Sequence, residues 1–533
     1  MAQTTVKTQL AKGSTPGEGQ ASAAPAHLAL AQALARIGRL DEAVAAYEAA
    51  IRSDPAALDA YFGLSRALLR AGRATEAFQR ADEALALDMD NAAAWTLIGE
   101  ALDALGEPVL TASAFERALS LAPEDAELNA RLGRLYLTLD RPFDAAARYQ
   151  RALALNPAPP TQLEAHVILS ALHGRALQFA RAREHAEAAL RLAPDNQGAH
   201  QNLAAVCDHE GREGEAEAHR ERAYRVSPLI VARAPRPRRR VLTLASAARA
   251  NSPDAYLIPP TRYDRLVWFI AYADEALSPR EEYDVVFNAV GDPDAAADLN
   301  DRLAGFVARC NRPVLNRPER IAATARDNSR RLFEGIADLI VPETRRITDL
   351  SELGDSAPDQ LWLLRPLGSH GGEHLQRLKR EEVAARLDGR AHYATAFHEY
   401  RSGDRCYRKH RMFFVDRAPY PYHLAIQDDW LVHYQSSRTP CDPAFIAEER
   451  CFLENPELVL GTRAYRAIRE VGQRMDLDFA GVDFAVLPDG RALLFEANAT
   501  MYVHPEPADG PLAHKNPHVS RILEAFWTLL ESV

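Results

Sequence analysis

Cysteine is scarce in this sequence. There are five in 533 residues (Cys207, Cys310, Cys406, Cys441 and Cys451), scattered and odd in number. No CxxC pair occurs, so neither a disulfide framework nor a thiolate zinc site is implied, and a reducing cytoplasm fits. Long apolar runs are missing, and the first residues carry no apolar signal core. Neither a membrane span nor a secretory leader is therefore expected. An excess of positive charge is lacking as well. Sixty-three Lys and Arg stand against 74 Asp and Glu, a net charge of −11, which argues against a general nucleic-acid binder. What is present is ordinary for a soluble globular protein, 47% hydrophobic and 26% charged. The length suits two to four domains. Residues 1–23 are polar and rich in Gly, Ser and Thr and read as a disordered tail.

Proline punctuates the first half with a period. Pro123 and Pro157, and again Pro194 and Pro228, are 34 residues apart. That is the tetratricopeptide period. Small and aromatic residues fall in phase with it: Ala43, Tyr47, Ala50 and Pro55; Trp95, Gly99, Phe115 and Ala118; Leu132, Gly133, Tyr136, Ala145, Tyr149 and Ala152. Weaker units carry Ala182 and Ala189, then Ala216 and Ala223, and another has Tyr61, Leu64, Ala77 and Ala84 with Met89 in place of proline. Small residues let paired helices close, aromatics fill the gap, and proline ends the second helix. An all-α solenoid of about six repeats over 24–230 is expected, its concave face open to a peptide or protein partner. A scaffold or dimerisation arm is the plainer reading. "NPAPP" (156–160) adds three residues between units and should bend the array.

The linker "ARAPRPRRR", assigned to 231–240, reads as solvated. Beyond it the sequence alternates strands and helices. "RVLTLAS" (240–246), "RLVWFIAY" (265–272), "YDVVFNAV" (283–290) and "PVLN" (313–316) predict a small α/β domain over 241–316 with a largely parallel sheet. Asn288 and Asp292 lie at a strand end, where ligands of such sheets sit, though both also suit turns.

Over 317–533 several polar groups interrupt apolar strands. Arg365 ends one, followed by Gly368, Ser369, Gly371 and Gly372, and glycines let backbone N–H groups converge on an anion. Lys409 and Arg411 share a strand face with Phe413 and need an anionic partner; a structural salt bridge would also serve. "DWLVHYQSS" (429–437) alternates Leu431, His433 and Gln435 on one face. "FAGVDFAVLPDGRALLFEANAT" (479–500) predicts a hairpin turning at Pro488–Arg491. It brings Asp483 near Glu496 and Asn498, an oxygen set that suits Mg²⁺. A polar strand end is the plainer reading.

Taken in order, the segment "PVLNRPERIAATARDNSRRLF", the basic strand end with its glycine loop, the "EY" of Glu399–Tyr400, the basic strand and D-x12-E-x-N resemble the ATP-grasp superfamily. The likeness is to D-alanine–D-alanine ligases, glutathione synthetase and ribosomal-protein glutamate ligase, over about 241–533. The resemblance implies an α/β domain preceding an α+β ATP-grasp fold, and an ATP-dependent carboxylate–amine ligase acting through an acylphosphate. It also implies ATP with one or two Mg²⁺ ions, Mn²⁺ standing in for Mg²⁺. Asp483, Glu496 and Asn498 would hold the metal. Arg365 would meet the ATP phosphates, with Ser369, Gly371 and Gly372 in the loop over them. His398, Glu399 and Tyr400 would form the adenine hinge, and Asp404 would meet the ribose. Arg411 would lie near the transferred phosphate and substrate carboxylate, with Lys409 beside it. Carboxylate and amine substrates follow, without nucleic acid or membrane. A nucleotide-binding adaptor and a phosphotransferase are the alternatives. Three departures stand out: Arg365 replaces a lysine, Asn328 replaces another, and "ATMYVHPEP" follows Asn498 where N-x-x-P-G is usual.

Overall fold

The computed structural model describes residues 23–533 except 140, 226, 248–250, 253, 274–278, 280, 295–296, 355–356, 358, 370–371, 373 and 434–436. The expected disordered tail thus lies almost wholly outside the described residues. The chain divides into two compact units, Met1–Ala223 and Tyr224–Val533.

The first unit is built of helix pairs. These are α1 (Ala24–Arg36) with α2 (Leu40–Ser53), α3 (Leu58–Arg70) with α4 (Ala74–Leu87), and α5 (Ala92–Leu105) with α6 (Pro108–Leu121). Then come α7 (Ala126–Thr138) with α8 (Pro142–Ala154), α9 (Pro159–Arg175) with α10 (Phe179–Leu192), and α11 (Gln197–His209) with α12 (Glu213–Tyr224). The periodic alanines are where the helices close. Ala43, Ala77, Ala145, Ala182 and Ala216 have no exposed surface. Gly99 and Gly133 show why the aromatics recur 16 residues later. A Cβ on Gly99 would lie 2.3 Å from the Phe115 ring, and one on Gly133 3.0 Å from that of Tyr149. Where serine replaces this glycine, alanine replaces the ring: Ser65 and Ser170 donate to the carbonyls of Ala77 (2.9 Å) and Ala182 (2.7 Å), and Ala81 and Ala186 are fully buried. The stretch 156–160 runs into the start of α9, whose first two residues are Pro159 and Pro160 and which is 17 residues long.

Among the described residues the second unit has three sheets. The first has the order β1-β3-β2-β4-β5, from β1 (Leu229–Ala232), β2 (Arg240–Ala245), β3 (Asp264–Phe269), β4 (Val285–Asn288) and β5 (Val314–Leu315). All its pairings are parallel except β1–β3. Residues 229–232, expected to end the array and begin the linker, are therefore an edge strand. Their β-favouring Leu-Ile-Val run finds the open edge of β3. The linker is also tied down: the Ala234 N–H donates to Asp264 at 2.9 Å, and Arg233 pairs with the same carboxylate at 2.8 Å.

The second sheet is antiparallel, β7-β10-β8-β9, from β7 (Thr344–Ile347), β8 (Leu361–Pro366), β9 (Gln376–Lys379) and β10 (His392–Ala396). The third is β12-β11-β13-β14-β6, from β6 (Leu339–Ile340), β11 (Tyr407–Val415), β12 (Ala418–Gln427), β13 (Phe479–Val486) and β14 (Ala492–Asn498). The β13–β14 turn is the expected one. Gly490 takes φ +81°, and its N–H donates to the Leu487 carbonyl at 2.8 Å. Side-chain alternation sorts β11 into two faces. Met412 and Phe414 join a core with Ile468 and Val471 of the helix Pro456–Met475. Phe413 and Val415 join Phe287 of β4 and Phe526 of the C-terminal helix Asn516–Ser532. Residues 429–433, expected as a strand, are not one. Asp429 accepts the Leu431 N–H (3.3 Å) in a local turn, and Gln435 lies outside the described residues.

Candidate functional site

A cavity of about 550 Å³ is lined from both the β7–β10 sheet and the β11–β14 sheet. Two irregularities of pairing shape it. Asp483 faces Glu496 across β13 and β14 while Phe484 faces Leu494, so Phe495 is an extra residue. Likewise Arg411 faces His423 while Met412 faces Pro421, so Tyr422 is extra. Such bulges re-aim side chains, and both Phe495 and Tyr422 line the cavity.

The charged residues converge beside these bulges. Arg411, opposite Asp483 in register, donates to its two oxygens at 2.6 and 2.8 Å, and Lys409 stands 3.6 Å away. Glu496 accepts from Arg326, and from the Asn498 amide at 2.6 Å, on the same oxygen. The Asn498 oxygen accepts from the N–H and hydroxyl of Thr500, both at 3.0 Å. Among the described residues no three His, Cys, Asp or Glu side chains form a metal cage. The oxygen set is two carboxylates and one carboxamide, the donor chemistry of a hard cation. It fits such an ion only if the two guanidinium groups yield.

Burial and charge oppose each other here. Burial raises the Asp483 carboxyl, but Arg411 and Lys409 outweigh it and hold the group below its usual range. Glu496 is likewise raised by burial and lowered further by Arg326 and Arg365. Burial draws the Lys409 ammonium down despite Asp483. Arg411 is penalised by burial yet held up by Asp483 and Glu496. Arg365 is pulled down to about 10 by burial and the nearby Arg326 charge.

The other expected residues divide. Arg365, Gly372, His398 and Tyr400 line the cavity; Gly371 lies outside the described residues. Ser369, Glu399 and Asp404 are not among the lining residues. Ser369 accepts from Arg365 at 3.1 Å and so braces it. Glu399 caps its own turn, taking the N–H groups of Tyr400 (3.1 Å) and Arg401 (3.0 Å). Asp404 pairs with Arg408 at 2.7 Å, which holds it down to about 2. Asn288 is wholly buried and bonds the Asn316 carbonyl at 3.0 Å. Asp292 closes a turn onto the Asp294 N–H (2.8 Å) and also lines the cavity. Arg326, Tyr422, Trp430 and Phe495 line it too without having been singled out. The one signal for Arg326 was its place in "ATARDN", two residues before Asn328, whose amide closes a turn onto the Ala323 carbonyl at 2.6 Å.

A tetratricopeptide repeat family model matches residues 28–92. The first unit is a tetratricopeptide array. Solved structures similar to the chain include a Pseudomonas aeruginosa pilF protein, at 20% identity and TM-score 0.33 over 39% of this chain and 94% of that one. YrrB, titled a TPR protein with an unusual peptide-binding site, is 22% identical with TM-score 0.28, over 32% and 88%. A thermophilic TPR protein from Thermus thermophilus is 23% identical with TM-score 0.27, over 37% and 99%. No curated protein matches the chain significantly.

Proposed function

We propose that the second unit is an ATP-grasp ligase that joins a carboxylate to an amine, and that the tetratricopeptide array recruits a peptide or protein to it. One observation carries this reading: Asp483 and Glu496 stand opposite each other in a cavity shared by two sheets, with four cations, Arg326, Arg365, Lys409 and Arg411, around them. The cations crowd the two facing carboxylates, while Asp292 and Asp294 also line the cavity, so charges of both signs suit a polyphosphate that arrives with a divalent ion. A divalent ion held by Asp483, Glu496 and Asn498 would supply charge neutralisation to the phosphates. Arg365, braced by Ser369, directs a fixed charge at the guest. Arg411 orients Asp483 and on this reading would meet a substrate carboxylate, with Lys409 as a second donor. Phe397, Tyr400, Trp430 and Phe495 give an apolar wall for a base.

The pairing of both carboxylates with arginine supports a second reading, a nucleotide-binding adaptor without turnover. Isothermal titration with ATP and Mg²⁺, followed by an ADP-release assay with and without candidate amines, separates the two. Saturable binding with amine-dependent ADP release supports the ligase. Binding alone supports the adaptor, and no binding rejects both.

A further inference from the structure

Histidine pairs occupy matching places in the last two repeats. His166 and His185 approach with Nδ1 atoms 3.0 Å apart, and His200 and His219 with theirs 2.9 Å apart. In both pairs the ring centroids are 5.2 Å apart. Each member recurs after one 34-residue period: 166 to 200, and 185 to 219. One histidine comes from the first helix of the repeat and its partner from the second.

The tautomer of one pair is fixed by the repeat itself. Tyr61, Trp95 and His200 hold the same place in their units, once the three residues added at 156–160 are allowed for. Each bonds the carbonyl six residues back: Tyr61 to Pro55 (3.3 Å), Trp95 to Met89 (3.2 Å) and His200, through Nε2, to Pro194 (3.0 Å). Nε2 of His200 therefore carries the proton, and its Nδ1 presents a lone pair to His219. A metal-binding imidazole is usually held in this way, its far N–H on a carbonyl. The ring of His185 is braced differently, stacked on His173 at 5.4 Å and 9°.

We propose that each pair is a binding site for a divalent transition-metal ion of the zinc and copper class, ligated by two Nδ1 atoms and completed by water. Two nitrogens each about 2.0–2.1 Å from one ion lie about 2.9 Å apart at a right angle and about 3.4 Å apart in a tetrahedron. The observed separations fall at the near end of that range, so a small rotation of the rings admits the ion. No proton is lost overall, because His219 moves its Nδ1 proton to Nε2. The ion would clamp the two helices of each repeat.

The test uses the full-length protein with ZnCl₂ and, separately, CuSO₄ at pH 7.5. Two equivalents should bind at the histidine pairs, besides any ion on the oxygen set of the cavity. X-ray absorption at the zinc edge should show two imidazole nitrogens for each of these two ions, and copper resonance spectra should show nitrogen coupling. His219→Gln should lose one equivalent, and His185→Gln/His219→Gln both. The oxygen ligands of the cavity would give a different absorption signature. Undiminished uptake by the double variant, or fewer than four zinc-bound imidazoles per unaltered protein molecule, overturns the proposal. Should the variants fail to fold by circular dichroism, the absorption measurement on the unaltered protein decides it.

Discussion

Arg411 and Asp483 face each other across β11 and β13 and meet through two hydrogen bonds, at 2.6 and 2.8 Å. Both sit in a buried site, so the pair matters chiefly through what happens when half of it is removed. Arg411→Met should destabilise the second unit by up to about 3–5 kcal/mol, because it leaves Lys409, 3.6 Å away, to offset the buried Asp483 charge alone. Arg411→Lys should lose less. The urea midpoints of the three proteins check this order. The acid side has a definite sign. Asp483 is held below its unfolded value of about 3.9, so its contribution is full above that value and is lost as pH falls through the lower folded one.

In the array, the glycine–ring contacts rank two substitutions. Gly99→Ala puts a methyl 2.3 Å from Phe115, whereas Gly133→Ala puts one 3.0 Å from Tyr149. Overpacking costs about 1–3 kcal/mol, and alanine returns about 1 kcal/mol of helix propensity. Gly99→Ala should therefore lower the melting temperature clearly and Gly133→Ala by much less. Equal losses would contradict the packing described.

The histidine pairs make the last two repeats sensitive to acid. Burial lowers His166, His185, His200 and His219. Arg191 and Arg222 add to this, as does the partner histidine for His185 and His219, while Glu184, Asp195 and Glu215 oppose it. Folded values below the unfolded 6.5 mean stability that is full above about pH 6.5 and lost as pH falls through the folded values. Amide protection factors in 159–224, taken relative to the intrinsic exchange rate at each pH, should fall on acidification from pH 7.5 before those in 24–121. A uniform fall would contradict it.

The boundary also makes a prediction. A fragment beginning at Tyr224 keeps β1 on the edge of β3, whereas one beginning at Arg233 exposes that edge. The first should be monomeric and the second prone to associate. Size-exclusion chromatography with light scattering distinguishes them.

Much of this was legible where the signal is local. The periodic alanines are the buried helix contacts, and D-x12-E-x-N with its Asp-Gly turn forms a hairpin whose two carboxylates face each other. Contacts distant in sequence were not legible. Arg326 reaches Glu496 across 170 residues, and no spacing rule connects them. Asp404 met a nearer competitor, Arg408, four residues on. Residues 229–232 looked like the end of an array because the strand they complete lies more than 30 residues further on. The bulges that aim Phe495 and Tyr422 into the cavity come from pairing register, which a single strand does not reveal.

The central claim is that the cavity holds ATP with a divalent ion on Asp483, Glu496 and Asn498. Titration of ATP into the full-length protein and into Glu496→Gln, each with and without Mg²⁺, tests it most directly. The account predicts Mg²⁺-dependent binding by the unaltered protein. It predicts that Glu496→Gln, still folded by circular dichroism, loses that Mg²⁺ dependence and at least tenfold in affinity, about 1.4 kcal/mol. Identical Mg²⁺-dependent isotherms for the two proteins, or no binding of ATP by the unaltered one, would contradict it.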